Sequence, residues 1–151
     1  MEYPVLLTGL ACALAFIRSG GAFYETSVVD PFWPRRPDLI QPDRGGISRK
    51  RFWIPAHSAF ELVLLIALIV TWSDPEVRFW LLISAVSHAV MRIWSAFDFI
   101  PKALAFECAD PQAVSEADAR NWTRRSRLRL PLDLVTAVAA MAAFFETAQS
   151  P

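Results

Sequence analysis

From Leu62 to Val70 the chain runs LVLLIALIV without one polar side chain, the centre of an apolar window spanning residues 52–72. About twenty mostly apolar residues suffice for a helix to cross the hydrocarbon layer of a bilayer. Three more windows qualify, residues 3–29, 79–99 and 128–145. The last is short but apolar from Val135 to Phe145 except for Thr136. The pattern predicts an all-α, integral membrane four-helix bundle occupying residues 1–151 as one domain.

The polar positions inside these windows are as informative as the apolar ones. His57 and Glu61 stand four residues apart and so share a helical face. In the third window Ser84, His88, Arg92 and Ser95 follow the helical repeat, with Asp98 further on. Arg18, Gly21 and Glu25 share a face of the first, where Gly20 and Gly21 let a neighbour approach the backbone closely. In the fourth, Asp133 and Thr136 share a face, and Arg129 is spaced to pair with Asp133.

Counting 1.5 Å per residue from the loop ends places Glu25, His57, Arg92 and Asp133 roughly 5–10 Å deep. The same count puts Arg18, Glu61 and His88 at roughly 13–17 Å, near the middle of the layer. An ionisable group inside a span is costly and marks a functional site by default. Four spans carrying such groups at one level predict a shared polar cavity in the inner half of the bundle.

The first window could instead be a signal peptide. It lacks a basic leader, and Ala13-Leu14-Ala15 is followed by Phe16, Ile17 and Arg18, so a retained helix is expected.

Composition sharpens this picture. The 151 residues are 54% hydrophobic with a mean hydropathy of +0.32 and zero net charge, leaving no global field to favour nucleic acid. The charges are unevenly placed. Arg35, Arg36, Arg44, Arg49, Lys50 and Arg51 lie between the first two windows. Lys102, Arg120, Arg124, Arg125 and Arg127 lie between the last two, with Arg129 at the start of the fourth, and only Arg78 lies on the other side. The positive-inside rule then puts both long loops in the cytoplasm and both termini outside, as in a bacterial inner membrane.

Trp33, Trp53, Trp94 and Trp122 fall near the inner boundary and Trp72 and Trp80 near the outer one, as interfacial anchors would. The loop rich in Pro31, Pro34, Pro37 and Pro42 is expected to be an ordered lid, with Phe32, Trp33, Leu39 and Ile40 packing. Its basic residues are expected at anionic head groups. Residues 115–125 form a short surface helix on this reading. Cys12 and Cys108 are not expected to form a disulfide.

Three chemistries suit the cluster. His57, Glu61 and His88, with Glu25 as a further donor, have the types for a divalent metal. Alternatively His57 or His88 is a base and Arg92 stabilises an oxyanion, within a cavity also lined by Arg18, Glu25, Asp133 and Ser84. In the third case the charges only lock helices together. No P-loop, GxGxxG, GxSxG or CxxC motif is present.

Three stretches carry a resemblance: GAFYETSVVDPFW leaving the first span, FIPKALAFE after the third and NWTRRSRLRLPLD before the fourth. In these the chain resembles the anthrone-oxygenase-like family of small four-helix membrane proteins, many without an assigned activity. The resemblance implies oxidation of a polycyclic phenolic anthrone to a quinone, by proton abstraction and reaction with oxygen. The expected partners are the bilayer, a small hydrophobic ligand and, optionally, a second copy in a homo-oligomer. A ligand-binding or transport module and a small structural membrane subunit are the alternatives to an enzyme.

Overall fold

The computed structural model describes residues 2–149. Helix α1 (Glu2–Tyr24) ends in a π-helical turn, Glu25–Val29. Short 3-10 turns then lead to α2 (Lys50–Val70) and α3 (Pro75–Trp94). A second π-helical turn, Ser95–Phe99, joins α3 to α4 (Ile100–Cys108), and α5 (Glu116–Ser126) continues through one 3-10 turn into α6 (Leu130–Gln149). Among the described residues there is no strand. Four helical stretches are long and apolar enough to cross a membrane, Tyr3–Val29, Lys50–Val70, Pro75–Cys108 and Glu116–Gln149. The chain is an all-α integral membrane four-helix bundle.

Local chemistry sets several boundaries. Asp74 caps α3, its Oδ1 accepting from the backbone N–H groups of Glu76 and Val77 at 3.1 and 3.2 Å, and Pro75 takes the first turn. Ser115 accepts from the Asp118 N–H at 3.3 Å and starts α5. The expected surface helix and the short fourth span prove continuous; α5 keeps one exposed face and buries Ala119, Trp122 and Thr123 on the other.

Helix α6 packs against both α1 and α3, and α2 packs against α1. Ala137, Ala140 and Ala143 give α6 a low-bulk face, which admits close neighbours. Ser84 Oγ donates to the Thr136 carbonyl at 3.0 Å and Ser87 Oγ to that of Leu132 at 2.9 Å, joining α3 to α6. The outer half is closed by Ala15, Phe60, Leu64, Ala67, Val77 and Leu81 with the α6 alanines. Helices α2 and α3 meet only thinly. The buried side chains of α2 are Phe60, Leu64 and Ala67, all beyond His57, so its inner half leans on α1 and stands away from α3. Of the two adjacent glycines only Gly21 carries a close approach: the Phe52 ring lies where its Cβ would be, whereas Gly20 faces open space.

Below the spans a second core forms from Trp33, Ile40, Phe99, Ala119 and Trp122. The proline-rich lid is therefore ordered, and Gln41 ties it to α4 by donating to the carbonyls of Phe106 and Ala109, both at 2.9 Å. Gly45, with φ +84°, makes the left-handed turn that ends the lid. Two expectations fail here. Trp33 and Trp122 are buried rather than interfacial, because their rings stack edge-on at 5.8 Å and fill the cap. Arg49 does not reach for head groups. It lies between Glu25 and Glu107, at 3.3 and 3.4 Å, with Trp33 and Trp122 rings nearby. Arg35, Arg36 and Arg44 pair with Glu116, Asp38 and Asp110 but stay more than half exposed, free to meet a head-group layer as well. Cys12 and Cys108 are free thiols.

Candidate functional site: an inner-half cavity

The thin contact between α2 and α3 leaves a cavity of about 370 Å³ in the inner half, floored by α1 and α6 and closed below by the cap. Small-molecule sites commonly measure ~300–1,000 Å³. Its apolar wall includes Trp53, Ile54, Met91, Phe99, Leu104 and Trp122. Both π-helical turns border it, through Glu25 and through Ser95 and Phe99. Such turns widen a helix by one residue and recur at functional sites.

The titratable groups converge as the sequence predicted, though not all at the cavity surface. His57, Arg92, Glu25 and Asp133 line it. Arg18, fully buried, sits behind and donates from Nη2 to Asp133 Oδ1 at 2.9 Å and from Nε to His57 Nδ1 at 3.1 Å. Its guanidinium also lies 4.6 Å over the Phe60 ring. Glu61 Oε1 bonds His88 Nε2 and Arg92 Nε, both at 3.0 Å, bridging the α2–α3 seam. That pair is not sealed inside the bundle, since the Glu61 and Arg92 side chains remain 43% and 38% exposed. Ser84 is a helix-to-helix donor away from the cavity. Arg129 does not pair with Asp133, because Arg18 already holds that carboxylate.

Glu25 accepts from Trp53 Nε1 at 2.6 Å and from Arg49 at 3.3 Å. The network fixes both imidazoles. A guanidinium can only donate, so His57 Nδ1 holds a lone pair and the proton is on Nε2. His57 therefore presents an N–H, acting as a donor and not as the base expected from its sequence position. His88 donates its Nε2 proton to Glu61 and keeps a buried Nδ1 that meets no partner.

The same bonds bear on the metal reading. His57, Glu61 and His88 place potential ligand atoms within 4.8 Å of one another. A metal-bound imidazole normally donates its second N–H to an acceptor. Here the second nitrogen of His57 faces a cationic donor, and a second guanidinium occupies Glu61. Two fixed positive charges against the trio make it a poor cation site in this arrangement.

One residue escaped the sequence reading. Asp30 lines the cavity just past the first π-helical turn, 3% exposed, with Trp33 Nε1 donating to its Oδ1 at 3.1 Å. Burial, then the neighbouring Glu25 carboxylate, raise its pKa from 3.8 to about 6; the Trp33 bond and Arg49 offset part of this. The only sequence signal was its place within GAFYETSVVDPFW. Comparison with family models, curated proteins and solved structures finds no match to this chain.

Proposed function

We propose that the protein is a membrane-embedded enzyme acting on a small hydrophobic molecule, an oxygenase-like oxidoreductase of the anthrone-oxidising kind. The observation that carries this reading is the cavity itself: apolar walls beside fixed hydrogen-bond donors, set among helices long and apolar enough to cross a bilayer. The reaction written in full is R₂CH₂ + O₂ → R₂C=O + H₂O, with dioxygen as oxidant. Asp30, near neutral in pKa, takes the proton from the activated methylene. The oxyanion left on the substrate is stabilised by the His57 Nε2–H and Arg92, held in place beforehand by Arg18 and Glu61. Passage across the bilayer gains no support, because the packed outer half closes the bundle. With both long loops in the cytoplasm, the cavity belongs to the inner leaflet of a bacterial inner membrane and both termini lie outside.

The test uses purified protein in phosphatidylcholine nanodiscs with 1,8-dihydroxyanthrone under air. Quinone formation, followed by absorbance, should exceed autoxidation in protein-free discs and should stop under argon. His57→Ala and Arg92→Gln should each lower the protein-dependent rate by about 10²-fold, the scale for removing one oxyanion donor. No acceleration by the wild-type protein would remove this reading.

A further inference from the structure

The basic residues lining the cavity are not alike. Arg49 pairs with Glu25 and Glu107, Lys50 with Glu107, and Arg92 with Glu61. Arg129 lines the same cavity, yet its hydrogen bonds all go to neutral atoms. Nε donates to the Ser126 carbonyl at 3.3 Å, Nη2 to Ser126 Oγ at 2.6 Å and Nη1 to Ser95 Oγ at 2.8 Å. Its guanidinium lies 4.4 Å over the Phe99 ring, which fixes the plane of the fork. Among the described residues no carboxylate comes within ion-pair distance of it. Asp133 belongs to Arg18 and Glu25 to Arg49.

A guanidinium has five N–H groups. Three are satisfied here, leaving one on each terminal nitrogen free to donate to an oxyanion. The carboxylates of Glu25, Asp133 and Asp30 attract it only from beyond hydrogen-bonding distance, so none of them occupies its open N–H groups. The serines hold the group in place without neutralising it.

We propose that Arg129 is the anchor for an oxyanion carried by the ligand, so that the cavity takes hydrophobic weak acids: molecules with a phenolate or carboxylate at one end and an apolar body. The body lies along Met91, Phe99 and Leu104, and the oxygen sits on the open N–H pair of Arg129. This deepens the cavity reading above and rests on it. It does not require that the ligand be oxidised.

The test is binding to the full chain in phosphatidylcholine nanodiscs at neutral pH, read by equilibrium dialysis. The probes are 2-naphthoate, its neutral isostere 2-naphthamide, and laurate. Wild-type protein should bind 2-naphthoate more tightly than 2-naphthamide. Arg129→Gln should weaken naphthoate by about tenfold to hundredfold, the span of one charge-assisted hydrogen bond, and leave the amide within about twofold. Arg129→Lys should restore part of the difference, which guards against a folding artefact, and Arg124→Gln on the exposed face of α5 should change nothing. Laurate stronger than naphthoate would make the natural source lipid-like, and the reverse order aromatic; both orders require Arg129. Equal binding of acid and amide, or naphthoate binding that survives Arg129→Gln, would overturn the anchor while sparing the cavity. Failure of every probe to bind would overturn both.

Discussion

Asp30 carries a conflict that titration can expose. Its pKa of about 6 against 3.8 for a free carboxyl means that the folded chain holds this proton more tightly than the unfolded chain. The stability penalty is therefore absent below pH 3.8, grows as pH rises towards 6, and is complete above it, at roughly 3 kcal/mol at most. Asp30→Asn keeps an acceptor for Trp33 Nε1 and removes the charge. The variant should unfold at a higher temperature than wild type at pH 8, with the gap closing towards pH 4. Its protein-dependent oxidation should be lost, whereas the wild-type rate should rise through pH 6. A variant that stays active, or a stability gap independent of pH, would show that Asp30 is only a buried acid. Residues of this kind mark sites where activity is kept at some expense of stability.

Between elements, the Arg18–Asp133 pair ties α1 to α6 and also orients His57 on α2. Removing one member of a buried pair leaves an uncompensated charge and costs ~3–5 kcal/mol. Arg18→Met should destabilise on that scale by thermal unfolding in detergent, while Arg18→Met with Asp133→Leu should recover most of the loss. The double variant should still lack oxidation, because His57 Nδ1 is no longer held and the ring can turn its lone pair towards the cavity. Full activity in the double variant would detach His57 orientation from the reaction. The spans were legible in the sequence because hydropathy over twenty residues reports directly on lipid burial. So was the ionisable cluster, since depth follows from helical rise. The partners were not legible. Arg129 was matched to Asp133 by spacing, but Arg18, from a helix over a hundred residues away, reaches that carboxylate instead. The loose α2–α3 seam and the two π-helical turns leave no periodic trace, and they are what open the cavity. Trp33 and Trp122 were misread as interfacial for a related reason. An aromatic near a membrane boundary has the same sequence signature whether it meets lipid or a second core.

Across the whole molecule, the inner-half cavity and the cap sit at the same end as nearly all the basic residues. Many of these arginines are paired in the fold, Arg35 and Arg120 sharing Glu116, and Arg125 sharing Asp98 with Lys102, so the charge is only partly neutralised. That pairing does not weaken the topological signal, which counts Lys and Arg near span ends and is almost blind to acids. On the opposite end Arg78 stands nearly alone, donating to the Trp72 carbonyl at 2.6 Å. On the proposed topology the bundle inserts with its cap in the cytoplasm and its helix-closed end outward. Alkaline phosphatase fused after Pro151 should be active in a Gram-negative host, and green fluorescent protein at the same position after Sec-dependent export should be dark. A fusion within the lid after Gly46 should give the opposite pair of results. Fluorescence at the C terminus would invert the protein, move the cavity to the outer leaflet, and require any substrate to reach it from outside the cell.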